Sequence, residues 1–199
     1  MTLAGLILAA GWGRRMGRPK ALLPLAGGGT ALSVLADTLL ASDVAPIVVV
    51  VGPWWCSGDR FVSAGIVVNP DPDRGQASSI RCGLEALPSG QTGVMVAPVD
   101  HPFVRVETIR SLAAEHAAHP DAIVLPVVGG RRGHPVVFPA WALPLLSDPA
   151  LDGVGARAVV RAYTGRIREV TVTDEAVRMD FDTQDGYLRV ENRGGPWQL

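Results

Sequence analysis

Cysteine is scarce in this chain of 199 residues, with only Cys56 and Cys82 present. Two isolated thiols show neither a disulfide framework nor metal-ligand spacing, and they fit a reducing compartment. A charge excess of either sign is also missing: 18 Lys and Arg stand against 19 Asp and Glu, a net charge of −1. A dedicated nucleic-acid binder would carry a strong basic excess, so no nucleic-acid partner is expected. Long apolar runs are absent as well, and "IVVVV" at 47–51 is too short to cross a bilayer. The apolar stretch at the N-terminus is followed by arginines, whereas a signal peptide carries its positive charge first. No membrane partner is expected, and the expected compartment is the cytoplasm. Internal repeats, low-complexity tracts and long linkers are lacking too. What is there is an ordinary globular composition, 48% hydrophobic and 19% charged, which suits a single domain over residues 1–199.

Short β-branched runs alternate with longer helical patterns. Strands are predicted near 3–8, 46–51, 66–69, 93–97, 122–127, 135–138 and 167–172. Those at 46–51 and 93–97 are apolar throughout, as in strands buried on both faces of a parallel sheet. Helices are predicted at 31–42, 77–87, 106–119, 153–164 and 184–192; in the first, Leu32, Leu35, Ala36, Leu39 and Leu40 recur at helical spacing. This alternation predicts a three-layer α/β/α sandwich around a doubly wound, mostly parallel sheet. "GGRRGHP" at 129–135 reads as a tight turn between two strands, with an antiparallel pair as one option. Ligands of open α/β sheets sit beyond the carboxyl ends of the strands. The unusual polar segments 9–20, 69–79, 98–102 and 180–183 all fall there, which argues for one site.

The first of them, within "LAAGWGRRMGRPK" at 8–20, holds three glycines and four cations. Glycines let backbone N–H groups approach phosphate oxygens closely. Gly11, Gly13 and Gly17 miss the dinucleotide fingerprint by one residue, and the second strand ends without the acid that would hold a ribose. A P-loop fails too, because Lys20 stands three residues past Gly17 and Ala21 follows it. A glycine loop with arginines and a lysine suits a triphosphate; the plainer reading is a solvated surface turn.

The wider segment "LAAGWGRRMGRPKALLPLAG" resembles the signature of the nucleotidyltransferases, and more narrowly of the molybdenum-cofactor cytidylyltransferase and guanylyltransferase family. Further segments resemble that family in the expected order: "NPDPDRGQASSIRCGL" at 69–84, "PVDHPFV" at 98–104, "GHPVVF" at 133–138 and "DFDTQDGY" at 180–187. The resemblance implies a fold like that of the nucleotide-diphospho-sugar transferases. It implies transfer of a nucleoside monophosphate from a nucleoside triphosphate to a phosphate-bearing pterin, with a molybdoenzyme as a candidate partner.

Such a transfer spreads negative charge around the α-phosphorus, so cations, a metal and in-line positioning are required. Mg²⁺ takes one or two carboxylates plus phosphate oxygens, and Mn²⁺ is the alternative metal. The resemblance marks Asp100 and Asp182 as the metal carboxylates; each also has a plainer reading as a helix cap, near 106 or near 184. It gives Lys20 to the α- and β-phosphates as pyrophosphate leaves, and Arg15 to the outer phosphates, with Arg14 an uncertain neighbour. Leu8, Ala9, Ala10 and Gly11 would frame base and phosphate. Gly75 permits close approach, and Gln76, Ser78 and Ser79 stand at a helix N-terminus where base or ribose could be read. Arg81 faces the acceptor or is simply exposed. His101 and His134 are placed on the acceptor side or in structural roles, since a phosphate nucleophile with a second pKa near ~6 needs no base. Trp54 and Trp55 are expected to pack in the core or an oligomer contact, with stacking on an acceptor ring system as the alternative.

Within the family, the cytidylyltransferase branch reads LAAG where the guanylyltransferase branch reads LAGG. Ala10 therefore favours CTP, its methyl crowding a purine. Two other classes stay open: an NAD(P)-dependent oxidoreductase, and a partner protein that delivers a finished cofactor without making it.

Overall fold

A computed structural model of the chain describes residues 2–25, 27–56 and 64–180. The expected helix at 184–192 lies outside them. The strands are β1 (Leu3–Ala9), β2 (Ile47–Val51), β3 (Ala64–Val68), β4 (Gly93–Pro98), β5 (Ile123–Val128), β6 (Arg131–Arg132), β7 (Val136–Pro139) and β8 (Ile167–Thr171). They form one sheet in the order β3-β2-β1-β4-β7-β5, with β6 and β8 also paired to β5. β1, β2, β3 and β4 run parallel, as do β5 and β8. The turn at Gly129–Gly130 reverses the chain, so β7 returns antiparallel between β4 and β5.

Because β1 is covered on both faces, its side chains serve two cores. Leu6 and Leu8 pack with Val48, Val50 and Phe138, while Ile7 and Ala9 pack with Val49 and Met95. Helices α1 (Ala31–Ala41) and α3 (Val106–Ala118) cover one face; α2 (Gln76–Ala86), α4 (Leu143–Leu146) and α5 (Arg157–Ala162) cover the other. This is the predicted three-layer, doubly wound arrangement. The four-residue α4 carries no periodic signal in the sequence. Helix α5 begins later than expected because Gly153 and Gly155, with φ of 78° each, hold the preceding chain in turns. Thr30 and Ser33 form a reciprocal capping box at the start of α1. Among the described residues no helix is long and apolar enough to cross a membrane.

The start of α3 is capped from a distance. Asp174 is 3% exposed and accepts from the Arg105 amide at 2.9 Å, the Thr108 hydroxyl at 2.8 Å and the Ala176 amide at 3.1 Å. Three donors converge on one buried carboxylate, and its loss would strand all of them. Asp174→Ala is expected to lower the unfolding free energy by about 3 kcal/mol, and Asp174→Asn, which keeps one acceptor, by about half as much. Urea titration of the two variants checks this; wild-type stability in Asp174→Ala would remove the capping role.

Candidate active site

Parallel pairing of β1 with β4 sets Leu8 opposite Pro98, so the glycine loop and the segment carrying Asp100 leave the sheet side by side. Between them opens a cleft of about 260 Å³. Leu8, Ala9, Ala10 and Gly11 line it from the end of β1, and Gly75, Gln76 and Ser79 from the start of α2. Lys20 and Asp100 meet at its wall, with Nζ 3.3 Å from Oδ2. The loop reaches this shape through Gly13, whose φ of 62° and close contact with the Arg18 carbonyl leave no room for a Cβ.

Asp100 does not cap α3, since Asp174 does. Its Oδ2 faces Lys20, while Oδ1 is buried with no hydrogen-bond partner among the described residues; His101 Nε2 stands 3.8 Å from it. A buried carboxylate oxygen without a donor is costly unless a cation supplies the missing charge. One carboxylate oxygen beside a phosphate cleft fits a hard divalent ion that takes its other ligands from phosphates and water. Asp182, the second expected carboxylate, lies outside the described residues. Asp180 is exposed, as its alternation with Asp182 implies.

The other expected residues separate. Arg14 spans Asp73 at 2.9 and 3.0 Å across the rim of the cleft, joining the glycine loop to the turn before α2. Arg15 stands exposed on the same Arg14–Met16 turn, outside the cleft wall. Ser78 is turned inward, its hydroxyl within 2.7 Å of the Gly75 carbonyl. Ser79 faces the cleft. Its oxygen accepts from Asn69 Nδ2 at 3.0 Å, and no described acceptor takes its proton, so the hydroxyl can donate to a bound molecule. Arg81 is not the exposed residue of one reading: its guanidinium is 3.1 Å from Asp152, on a side chain only 16% exposed, and it lines neither cavity.

Two further residues shape the site, of which Asn69 escaped the sequence analysis. Asn69, 2% exposed after β3, donates to Ser78 and Ser79 and accepts from the Asp71 amide, thereby organising the whole turn before α2. Trp54 donates its indole N–H to the Ala10 carbonyl at 3.2 Å and packs against the core. It holds the loop backbone rather than presenting a stacking face.

A second cavity, of about 370 Å³, shares Gln76 with the cleft. Its floor is apolar, from Val96, Leu125, Val136 and Phe138, and its rim carries Arg132, Arg157 and Arg161. Arg132 is paired with Glu169 at 2.7 Å; among the described residues neither Arg157 nor Arg161 has a carboxylate partner. His134 lines this cavity and stacks near His101, with ring centroids 5.0 Å apart. His101, 8% exposed, holds the Ala176 carbonyl through Nδ1 at 3.3 Å and faces neither cavity.

Burial, with a smaller push from His101, lowers the His134 pKa from 6.5 to about 4, so its ring is neutral at pH 7. The unfolded ring gains a proton near pH 6.5 and the folded ring only near pH 4. Its contribution to stability is therefore full above pH 6.5 and is lost as pH falls toward 4. Between pH 7 and pH 4 the wild type should lose about 3 kcal/mol more unfolding free energy than His134→Gln. Chemical denaturation at both pH values measures the difference, and equal losses would overturn the assignment.

The family description "MobA-like NTP transferase domain" matches residues 5–168. A molybdenum cofactor guanylyltransferase from Rhodobacter capsulatus is 38% identical over 97% of each chain. A nicotine blue oxidoreductase from Paenarthrobacter nicotinovorans is 32% identical over 94% of this chain and 96% of its own. Among solved structures, Rv0371c of Mycobacterium tuberculosis in complex with manganese superposes with a TM-score of 0.80. It is 25% identical and covers 98% of this chain and 100% of that one. The matched span takes in the glycine loop, Lys20, Asp100 and both cavities, and the chain belongs to the MobA-like NTP transferase family, as a nucleotidyltransferase.

Proposed function

We propose that the chain transfers the nucleoside monophosphate of a nucleoside triphosphate to the terminal phosphate of a molybdopterin-type acceptor and releases pyrophosphate. The observation that carries this reading is the Lys20–Asp100 pair in a cleft that shares Gln76 with an apolar cavity rimmed by arginines. The triphosphate lies along the glycine loop, with Lys20 beside the α- and β-phosphates and Arg15 reaching the outer ones from the rim. Ser79 and the start of α2 donate to ribose or base. The acceptor ring system occupies the second cavity, its phosphate turned toward the cleft. With a second pKa near ~6 that phosphate is already nucleophilic at pH 7, and His134, neutral there, is not needed as a base. A divalent cation, Mg²⁺ or the Mn²⁺ named for the mycobacterial structure, would bind Asp100 and phosphate oxygens and neutralise the charge that grows on the leaving pyrophosphate.

For the base, we favour GTP over CTP. Ala10 is 3% exposed and packed in the core beside Leu8, so its methyl has little surface with which to crowd a purine. The Rhodobacter relative is a guanylyltransferase by name. The oxidoreductase reading has one observation in its favour, the nicotine blue oxidoreductase relative. Against it, a dinucleotide fold sets the glycine loop directly before a helix N-terminus, whereas here two short turns intervene and α1 begins only at Ala31.

Pyrophosphate release from GTP or CTP with Mg²⁺ and molybdopterin tests the proposal. Lys20→Ala and Asp100→Ala should each lose roughly 10²–10³-fold in turnover with an unchanged circular dichroism spectrum, and GTP should exceed CTP by about tenfold in kcat/KM. Near-wild-type turnover in Asp100→Ala would sink the metal assignment. NADPH binding by fluorescence, without any release of pyrophosphate, would transfer the case to a redox enzyme.

A further inference from the structure

Asp152 is the meeting point of two arginines that bracket the cleft's α2 wall. Arg74 reaches Oδ2 with Nε at 2.9 Å and Nη2 at 2.6 Å. Arg81 holds Oδ1 at 3.1 Å and Oδ2 at 3.4 Å, and its guanidinium also approaches the Ser147 carbonyl at 3.5 Å. Asp152 and Arg81 are 21% and 16% exposed at their side chains, so this pair is less screened by water than Arg14–Asp73 on the rim. Between Arg74 and Arg81 lie Gly75, Gln76 and Ser79, which wall the cleft. Just beyond Asp152 come Ala156 and Arg157, which wall the second cavity.

The backbones of these two segments are in direct contact. Gly153 N–H donates to the Arg74 carbonyl at 3.1 Å, and a Cβ on Gly75 would stand 3.2 Å from the Gly153 nitrogen. Gly155 lies against the Gln76 amide. Asp152 itself lines neither cavity. Both arginines can reach its carboxylate only while the first turn of α2 and the 153–157 segment keep one separation. Gln76, in that first turn, lines both cavities.

The geometry points to Asp152 as a positioning residue: through Arg74 and Arg81 it sets the spacing between the nucleotide cleft and the acceptor cavity. The kinetic part of this inference rests on the transfer reading above; the structural part does not. In the transfer, a misplacement of about 1 Å between the two substrates can cost up to 10²-fold. Loss of the carboxylate also leaves two guanidiniums on the α2 side repelling one another with no charge between them.

Asp152→Asn keeps the shape and removes the charge. It should leave the affinity for Mg²⁺ and nucleoside triphosphate, measured without acceptor, within about twofold of wild type, while kcat/KM for the acceptor falls about ten- to a hundredfold. Asp152→Glu should recover part of that loss, and Arg81→Met added to Asp152→Asn should cost little more than the single change, because the groups act as a unit. Amide hydrogen exchange on the substrate-free protein gives a readout independent of turnover: in Asp152→Asn, protection should fall together at 75–80 and at 153–158. Unchanged exchange in either segment, or a smaller active fraction with unaltered KM values, would overturn the clamp. A wild type that releases no pyrophosphate would instead overturn the transfer reading, and the exchange result would still decide the role of Asp152.

Discussion

The site depends on the parallel pairing of β1 with β4. Six residue pairs, from Leu3 opposite Gly93 to Leu8 opposite Pro98, hold these strands in register. Parallel strands end on the same side, so the loops that follow them leave the sheet together. A one-residue slip would turn every side chain of β1 to the wrong core, and it would part Lys20 from Asp100. Both cores contribute to that register, because Leu6 and Leu8 are buried on one face of the sheet and Ile7 and Ala9 on the other.

On that frame the charges are distributed by exposure. Arg14–Asp73 lies in solvent and ties two loops together with little energetic weight. Lys20–Asp100 is mostly covered, and the unpartnered Asp100 Oδ1 leaves a negative site that a cation can complete. Arg74, Arg81 and Asp152 form a third group, which lines neither cavity and joins the start of α2 to the segment after Asp152. Cation-rich loops, a buried carboxylate and a neutral His134 together suit a reaction that moves phosphate charge rather than protons.

Much of this was legible beforehand. The apolar runs located β1, β2, β4, β5 and β7 within a residue or two, since strands covered on both faces have no polar side to interrupt the pattern. The glycine loop and its cations were plain because local spacing encodes a loop. Less legible were residues whose neighbours are remote in sequence. Asn69 looked like one more turn residue until β3 and α2 brought it against Ser78 and Ser79. His116, on a helix end that reads as polar, is 2% exposed and packs over Gly93. Position 10 is a further case: the letter alone says nothing of burial, and Ala10 is 3% exposed among core residues.

The sequence by itself determined the layered α/β architecture and the glycine- and cation-rich loop after β1, because periodicity, glycine content and charge spacing are local properties of a chain. Only the tertiary structure decided which charges meet. Arg81 and Asp152 are 71 residues apart, Lys20 and Asp100 80, and Asp174 and Arg105 69. Ion pairs and caps of that range depend on strand order and helix packing, which place side chains within hydrogen-bonding reach to a tenth of the distance over which sequence patterns speak. The same packing separated the two acids after β4 and β8, leaving Asp174 to finish a helix while Asp100, free of that task, meets Lys20 at the cleft wall.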